Sequence, residues 1–413
     1  MGIFQRFFGN NVKEEERNLN NPNVPLTGAL LENFFAPQSS SGANIDIGAT
    51  LSLSAFWRAV NIISETIASL PLHVVDLDEE GNAKIDKKHV SYWLLHSEPN
   101  ELYTKYNFIR TWVTHAIVYG NGYAVISRKG GIPNRLTLVS DPSRVEAYMN
   151  GSEQLYYRIS GMNKTYRSDE MLHLLNMSWN GVGGLNIISM HRDTIGLALS
   201  NREVANKYYK NGAHTDKWIK YPGKLSNEAY QRLKISFSRN YGGASNAGQI
   251  PIFEEGGELK AIGATPKDSS HVETSKLTIS DIARITGVPQ FMLEDLDRAT
   301  FNNIEHMTLQ FVKHTIRPWC KNIEAELDRK IFQEVEKGEK AARFDLDALL
   351  MADTETRAEY HYKLFQIGAM SPNDIRRAEG KTPIIDGDRY YRPLNMIELG
   401  QTPDQNTIPD EEE

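Results

Sequence analysis

The sequence predicts an α+β fold, with an antiparallel sheet in the first half of the chain and helices in most of the remainder. Apolar residues recur at three- and four-residue steps in several long segments, which is the spacing of a buried helix face. Short β-rich runs separated by Gly, Pro, Asn and Asp cluster between residues 123 and 175. The chain has 413 residues, 40% of them hydrophobic, so it can bury a core in two or more domains.

Net charge and cysteine content exclude several classes of protein. The chain carries 46 Lys and Arg against 53 Asp and Glu, a formal net charge of -7, which argues against tight sequence-independent binding to nucleic acid. The best candidate for a membrane span, 56–75, is interrupted by Arg58 and Glu65, and residues 1–9 are too short for the apolar core of a signal peptide. A single cysteine, Cys320, excludes a disulfide framework and suits a reducing cytosol.

The N-terminal part is predicted to contain an arm, a helix and a hairpin. Segment 1–49 is predicted to be a partly disordered arm, because residues 10–48 are rich in Asn, Pro, Ser and Gly. Apolar residues at helical spacing predict a helix over 54–70, which Pro71 ends. Alternating runs at 72–77 and 83–86 then predict a β-hairpin.

A second helix and the antiparallel sheet are predicted next. The helix spans 104–119 and stops at Gly120. The predicted strands of the sheet are 123–128, 135–139, 145–149, 155–159 and 171–175.

Two long helical patterns, 189–211 and 269–286, enclose a small module. Within the module, Ser226 is a candidate cap for a helix that extends to about residue 241. Its predicted strands are 218–221, 249–253 and 258–262, which makes the module β-α-β-β.

The last third of the sequence is mainly helical. An acidic irregular stretch at 291–300 precedes one long amphipathic pattern over 301–335. Pro318 is expected to kink this helix, because proline lacks a backbone donor and clashes with the preceding turn. A strand at 344–346 and helices at 354–365 and 371–379 are predicted after it, followed by an acidic tail.

No catalytic or cofactor motif is found in the sequence. The run Gly181-Val182-Gly183-Gly184 is not a dinucleotide fingerprint, because Asn186 occupies the position of the third glycine. There is no Gly-Lys-Ser/Thr phosphate loop and no His-Glu-x-x-His zinc pair. The sequence therefore predicts no enzyme activity, no cofactor and no metal site.

Short motifs are spread over residues 52–396 in an order that is more informative than any one of them. They are Glu98-Pro99-Asn100, Gly120-Asn121-Gly122-Tyr123-Ala124, Asn211-Gly212-Ala213, Ile282-Ala283-Arg284-Ile285-Thr286-Gly287-Val288-Pro289, Asn302-Asn303-Ile304-Glu305, Thr315-Ile316-Arg317-Pro318, Phe344-Asp345, Met351-Ala352-Asp353 with Arg357, Gly368-Ala369-Met370-Ser371-Pro372-Asn373-Asp374-Ile375-Arg376, and Gly387-Asp388 with Pro393-Leu394-Asn395. In this order, motifs and elements together resemble the portal proteins, or head-to-tail connectors, of long-tailed double-stranded DNA bacteriophages and prophages.

The resemblance implies a ring, usually a dodecamer, at one special vertex of the capsid. Such a ring is the channel for DNA packaging and ejection, and it docks the large terminase and later the head-tail adaptor. It also implies contacts with the major capsid and scaffold proteins, non-specific passage of double-stranded DNA, and no membrane partner. The protein would be assembled in the cytoplasm of the host bacterium and would reside in the virion.

The resemblance also implies a division of the chain into the parts of a portal subunit. These parts are an α/β wing (50–188, with a return at 338–352), two stem helices (189–211 and 264–287), a clip between them (212–263), a tunnel loop (288–300), a long kinked tunnel helix (301–337) and a helical crown (353–398). The arm at 1–49 and the acidic tail at 399–413 match nothing specific in the family.

Two groups of charged residues are the candidate sites of this fold. The tunnel loop would place Glu294, Asp295, Asp297 and Arg298 around the channel, where the carboxylates repel phosphates and hold DNA weakly. The alternative is a surface loop whose acidic residues are simply solvated. The clip would offer a basic surface for partners, although a solvated helix face explains these residues equally well; they are Lys217, Lys220, Lys224, Arg232, Lys234 and Arg239.

Two other classes of function stay open on the sequence alone. One is a phage-associated enzyme that processes nucleic acid, and the other is a scaffold or adaptor protein that forms a rod or bundle. Mass under native conditions separates them from a ring, because an enzyme of this length is more often a monomer or dimer.

Overall fold

The computed structural model describes residues 44–78, 83–151, 154–210, 217–220, 223, 225–241, 258–261, 268–295, 301–346, 349 and 354–391. It divides the chain into two compact units, Met1–Phe344 (unit 1) and Asp345–Glu413 (unit 2). Within the described ranges, no helix combines the length and apolar character that a membrane span requires.

The longer helices of unit 1 lie close to the predicted positions, whereas the short helices α1 and α3 were not predicted. In its described part they are α1 (Ile47–Leu51), α2 (Ser54–Ser69), α3 (Tyr92–His96), α4 (Lys105–Tyr119), α5 (Ile187–Met190), α6 (Arg192–Lys210), α7 (Asn227–Tyr241), α8 (Asp268–Thr286), α9 (Phe301–Phe311) and α10 (Arg317–Lys330). The predicted cap of α7 is present, because the Ser226 hydroxyl accepts a hydrogen bond from the Ala229 amide at 3.2 Å. The spacing of apolar residues and the capping residues therefore predicted the positions of most of these helices.

The described strands form small antiparallel sheets, and those of the segment 123–175, predicted to form one sheet, belong to two. The strands are β1 (Leu72–Leu77), β2 (Ala83–Ile85), β3 (Asn121–Lys129), β4 (Ile132–Leu138), β5 (Val145–Met149), β6 (Leu155–Ile159), β7 (Thr165–Arg167), β8 (Met171–Leu175), β9 (Lys217–Lys220), β10 (Glu258–Ala261) and β11 (Lys340–Phe344). Their orders are β4-β3-β8, β5-β6-β7, β11-β1-β2 and β10-β9. Alternation along a strand predicts which face is buried, but it does not identify the neighbouring strand.

The core of unit 1 is a layer of helices on the β4-β3-β8 sheet. Helix α2 packs on α4, and α4 packs on β3. Helix α2 buries Phe56 and Ile63, and α4 buries Phe108 and Trp112. These large apolar side chains are removed from water, which is the main favourable contribution to folding.

A second apolar cluster joins the β4-β3-β8 and β5-β6-β7 sheets. It contains Tyr123 from β3, Tyr157 from β6 and Met171 from β8, all of them buried. Val182, from the loop after β8, packs against the same cluster. The β5-β6-β7 sheet is thus held against the β4-β3-β8 sheet by apolar contacts.

Strand β11 is longer at its start than the sequence predicted. The prediction was a strand at 344–346, whereas the observed strand is Lys340–Phe344 and pairs with β1, with Phe344 opposite Leu72. Residues 340–343 are Lys, Ala, Ala and Arg, which have low strand propensity, so only the partner strand identifies this segment as β-structure.

Two predicted helices are interrupted in the structure. The helix predicted at 189–211 is observed as α5 and α6, which are separated at His191, where the backbone leaves the helical region. The long helix predicted at 301–335 consists of α9, a π-helical segment over Val312–Ile316, and α10. The π-helical turn lies just before Pro318, which lacks the amide that a regular helix would need there.

The predicted clip is only partly covered by the described residues. Strand β9 pairs with β10, with Lys220 opposite Glu258. The predicted strand at 249–253 and the loop before it lie outside the described residues. The described part is therefore strand, helix, strand.

Unit 2 contains α11 (Thr354–Gln366) and α12 (Pro372–Ala378) at the predicted positions. Ser371 caps α12, because its hydroxyl accepts from the Asp374 amide at 3.1 Å. Asn373 is buried and its amide nitrogen donates to the Ile384 carbonyl at 2.9 Å, which ties α12 to the turn that follows it.

Candidate functional site

The segment between α8 and α9 begins with a defined turn. Helix α8 ends at Thr286 and is followed by Gly287, whose φ of 71° is left-handed and favours glycine. The chain continues as a short 3-10 helix, Gln290–Leu293, and Leu293 is buried. The predicted tunnel loop is thus anchored at its start by backbone geometry and an apolar side chain.

The structure places two of the four predicted tunnel-loop residues. Glu294 is exposed and has a left-handed φ of 67°, and its amide donates to the Phe291 carbonyl at 3.1 Å. The Asp295 amide donates to the Gln290 carbonyl at 3.2 Å. Asp297 and Arg298 lie outside the described residues. The described start of the loop, up to Asp295, is therefore a hydrogen-bonded turn.

The start of this loop is tied to the π-helical segment. The Thr315 hydroxyl donates to the Gly287 carbonyl at 2.7 Å. A Cβ atom at Gly287 would lie 2.9 Å from the Thr315 hydroxyl oxygen, so a larger residue does not fit without displacement. This contact links the C-terminal end of α8 to the π-helical segment Val312–Ile316 in the middle of the long helix. We call the contact between Gly287 and this segment the joint.

Buried charges fix the second half of the long helix. Glu324 is buried and its Oε1 accepts from the Phe344 amide at 2.9 Å, which attaches α10 to β11. Glu326 is also buried and its Oε1 accepts from the His173 amide at 2.7 Å, which attaches α10 to β8. Each carboxylate therefore satisfies a backbone donor that would otherwise lie unpaired in the interior.

Lys330 also attaches α10 to β8, and we call Glu324, Glu326 and Lys330 together the α10 anchor. Its Nζ lies 2.6 Å from Glu326 Oε1 and donates to the Met171 carbonyl at 2.6 Å. Burial lowers the pKa of Lys330 from its usual value, although Glu326 opposes that effect. Sequence reasoning missed this anchor; the signal was that Lys330 follows Ile323 and Leu327 on the apolar face of the helix.

His173 on β8 is the buried histidine of the same region. Its Nε2 lies 2.9 Å from Asn121 Oδ1, and its Nδ1 lies 3.2 Å from the Tyr157 hydroxyl. Burial, together with the charges of Lys330 and Arg329, holds the pKa of His173 well below its usual value. The imidazole is therefore neutral, and it serves as a packed hydrogen-bonding group.

The first half of the long helix is less embedded. Leu309 and His306 on α9 are exposed, whereas Phe311 at its end is buried. The long helix thus has an anchored C-terminal half, a π-helical joint and a more exposed N-terminal half that leads back to the loop.

The basic residues predicted for the clip do not form one stripe. Arg232, Lys234 and Arg239 lie on α7 and are exposed, and Lys220 at the end of β9 is exposed as well. At 100° per residue, Arg232 and Arg239 share a face of α7 and Lys234 points to the opposite side. Lys217 lies on β9 without a described side chain, and Lys224 lies outside the described residues.

A protein-family comparison identifies one family. The model for that family, described as "Phage portal protein", matches residues 54–380. Among characterised relatives, the portal protein of Enterobacteria phage HK97 is 27% identical over 356 residues, which cover 84% of this chain and 83% of that protein.

Solved structures share the fold. A portal protein of the HK97 family from Corynebacterium diphtheriae matches with a TM-score of 0.55 and 17% identity, covering 74% of this chain and 96% of that chain. A chain from the neck of a native gene transfer agent particle, determined with C12 symmetry, matches with a TM-score of 0.53 and 20% identity, covering 81% of this chain and 93% of that chain.

Proposed function

This chain belongs to the phage portal protein family, and we propose that it forms a ring at one vertex of a phage capsid, through which DNA is packaged and ejected. The observation that carries the proposal is the family match over residues 54–380, which spans both the wing segment and the helices that follow it. A nucleic-acid-processing enzyme and a scaffold rod, the alternatives open on the sequence alone, are not favoured by this match.

The ring is a closed assembly of identical subunits. Head-to-tail contacts that repeat with a closing rotation generate a ring, and they require two different complementary surfaces on each subunit. The fold of this chain resembles that of a chain in a particle neck with C12 symmetry, and this supports a dodecamer.

The loop after α8 and the long helix line the channel in this proposal. Acidic side chains such as Glu294 and Asp295, repeated around a ring, repel phosphates, so DNA of any sequence passes without being trapped. The formal net charge of -7 acts in the same direction. The ring itself hydrolyses no ATP, and a separate motor, the large terminase, supplies the work of packaging.

The clip is proposed as the docking surface for the large terminase and later for the head-tail adaptor. Arg232 and Arg239 share one exposed face of α7, which suits an acidic partner. The segment 353–398, which contains α11 and α12 of unit 2, is proposed as the crown inside the capsid, and the protein would reside in the virion after assembly in the host cytoplasm.

The mass of the purified protein in solution tests the ring. In sedimentation velocity we expect a species roughly an order of magnitude heavier than the monomer, with a central hole in negative-stain images. A protein that stays a monomer or dimer at high concentration, and shows no rings, would contradict the proposed function.

Charge reversal tests the clip. Arg232→Glu with Arg239→Glu should leave the rings intact and weaken capture of the large terminase by about tenfold or more, because the charge of the shared face is inverted. The matched control is Lys84→Glu with Lys88→Glu, which reverses two exposed lysines near β2. Equal terminase capture by both double variants would remove α7 from the docking surface.

A further inference from the structure

The loop that joins β8 to α5, residues 176–185 (the Trp179 loop), is held rigid by its own hydrogen bonds. At its tip, Asn180 Oδ1 accepts from the amides of Val182 and Gly183, both at 2.9 Å. The Ser178 hydroxyl donates to the Gly183 carbonyl at 2.6 Å and accepts from the Gly181 amide at 3.0 Å. The tip therefore has one defined conformation.

The base of the loop is attached to the body of unit 1. The Leu185 amide donates to the Met177 carbonyl at 2.6 Å, which closes the loop. The Gly184 amide donates to Asn121 Oδ1 at 2.8 Å, which fastens the loop to the start of β3. The loop therefore projects from the sheet and is hydrogen-bonded to it at its base.

This projection exposes two large apolar side chains. Trp179 is 68% exposed and Met177 is 65% exposed. Tryptophan is enriched among the residues that dominate binding at protein interfaces. A tryptophan on a loop that is already ordered loses little conformational entropy on docking, so the loop is preorganised to bind a partner.

A groove elsewhere in the wing segment has the properties of a receptor for this side chain. It has a volume of about 460 Å³ and lies beside β4, β3 and the segment after β4. Val125, Leu138, Val139 and Ile159 supply apolar surface, and charged side chains complete the lining; these are Arg135, Asp141 and Arg144.

The chemistry of the groove matches an indole. A buried tryptophan places its ring on apolar surface and needs an acceptor for its N–H, which the Asp141 carboxylate can provide. The Ser143 amide and hydroxyl bind Oδ1 of Asp141, which holds that carboxylate at the groove. The guanidinium groups of Arg135 and Arg144 can stack on the ring, and tryptophan is the best aromatic partner for such a cation.

We propose that Trp179 of one subunit docks in this groove of the neighbouring subunit, so that loop and groove form the two sides of the head-to-tail contact. The inference rests on the proposed ring. The groove is lined by β4 and the loop follows β8, and these are the two outer strands of the β4-β3-β8 sheet. One chain therefore carries two unlike, complementary surfaces at different edges of one sheet, as a ring-forming contact requires.

Cysteine cross-linking tests the contact directly. Met177→Cys and Ser140→Cys place one thiol on the loop and one at the groove, in the full chain. With a short bismaleimide, the double variant should give a ladder of covalent multimers on a denaturing gel. Cys320 should not react with the bismaleimide in the folded protein, because it is fully buried and burial raises its pKa to about 12.

The single variants establish the direction of the contact. Each one alone should give no cross-linked product, and a co-assembled mixture of the two should give dimers only, because each subunit then carries a single reactive thiol. Cross-linking of either single variant with itself would indicate a symmetric contact and overturn the proposal.

Substitution of the tryptophan tests its energetic role. Trp179→Ala should raise the protein concentration needed for half-assembly by about tenfold or more, as expected for the loss of an interface anchor. Trp93→Ala is the matched control, since Trp93 on α3 is 64% exposed, and it should change that concentration by less than about twofold. Equal effects of the two substitutions would overturn the proposal.

The proposed ring and the proposed contact fail in distinguishable ways. A parent protein that sediments as a monomer contradicts the ring and, with it, this contact. Parent rings whose double-cysteine variant forms no ladder, or whose assembly is unaffected by Trp179→Ala, contradict only the contact and assign the Trp179 loop to another partner.

Discussion

At the scale of single residues, buried polar side chains hold this protein together by binding backbone atoms. Lys105, which is 8% exposed at the start of α4, donates through Nζ to the carbonyls of Ala68, at 2.9 Å, and Leu70. Those carbonyls lie at the C-terminal end of α2, where the helix leaves its last acceptors unpaired. A lysine in this position satisfies the helix end and carries a charge that suits the helix dipole.

The buried ammonium group of Lys105 should make stability depend on pH. Burial lowers the pKa of Lys105 to about 8 from 10.5. Between these values the unfolded chain binds a proton that the folded protein does not, so the free energy of unfolding should rise with pH, by up to about 1.4 kcal/mol per unit. Lys105→Met should flatten this rise, measured by urea denaturation between pH 8 and 9.5.

Other buried groups limit the pH range of that measurement, and an exposed lysine provides its control variant. Burial raises the pKa of Cys320, Tyr123 and Tyr157, so these groups lower stability as the pH rises, in the parent and in the variants; the slopes of the proteins are therefore compared over one window that ends at pH 9.5. Lys129→Met removes an exposed lysine and should leave the rise intact. A Lys105→Met variant with the slope of the parent would contradict the assignment.

Gly184 should be intolerant of a side chain. A Cβ atom there would overlap the carbonyl oxygen of Gly120, which belongs to the turn between α4 and β3. Gly184→Ala should therefore lower the free energy of unfolding by about 1–3 kcal/mol, seen as a lower urea midpoint. Gly151→Ala is the control, because no atom lies within 4 Å of its Cβ position, and it should change stability by less than about 0.5 kcal/mol. Similar midpoints for the two variants would contradict the close approach.

At the scale of elements, the long helix is two segments with different attachments. Glu324, Glu326 and Lys330 fix α10 to β11 and β8, whereas α9 is more exposed and precedes the joint. A π-helical turn is less regular than an α-helix and is frequent at functional sites. The joint therefore separates α10, which is attached to β8 and β11, from the more exposed α9.

The hydrogen bond from Thr315 to Gly287 should stabilise the joint. Thr315→Val removes the hydroxyl and should destabilise the joint by about 0.5–1.5 kcal/mol. Hydrogen–deuterium exchange should then become faster in residues 287–295 and 301–316, with little change in α10. Thr315→Ser keeps the hydroxyl and should exchange like the parent. Equal exchange in all three proteins would contradict the role of this bond.

At the scale of the whole molecule, the symmetry of the proposed ring would multiply the negative charge of the loop after α8. In the proposed ring, each acidic side chain of the loop after α8 would recur once per subunit, so a small number of carboxylates per chain would create a collar of negative charge if this loop lines the channel. The field of such a collar extends over about 8–10 Å at physiological salt, which is enough to act on DNA inside a channel.

Reversing the charge of that collar should make the channel bind DNA. Asp295→Lys with Asp297→Lys should leave ring assembly unchanged but make DNA bind or stall in the channel, with affinity falling steeply as salt rises. Retained DNA after packaging, measured at low and physiological salt, is the readout. The control, Glu334→Lys with Glu339→Lys, changes the net charge equally at exposed sites. Equal DNA retention by both variants would show that net charge, and not the loop, is responsible.

The sequence by itself determined the local elements and the family. The helices α2, α4, α7 and α8 and the strands β5, β6 and β8 were predicted within about two residues, because apolar periodicity, capping residues and glycine or proline at the ends act over one or two turns of chain. The short motifs identified the family for a similar reason, since each depends on neighbouring residues only.

Only the tertiary structure decided the pairing of strands, the burial of charges and the exposure of the Trp179 loop. β11 is a strand because β1 lies beside it, although its own residues have low strand propensity. Glu324, Glu326 and Lys330 belong to residue types that are usually exposed, yet distant backbone groups of β8 and β11 bind them in the interior. The physical reason is that hydrogen bonds within a helix and its caps are local, whereas strand partners and the desolvation of a charge depend on residues far away in the chain.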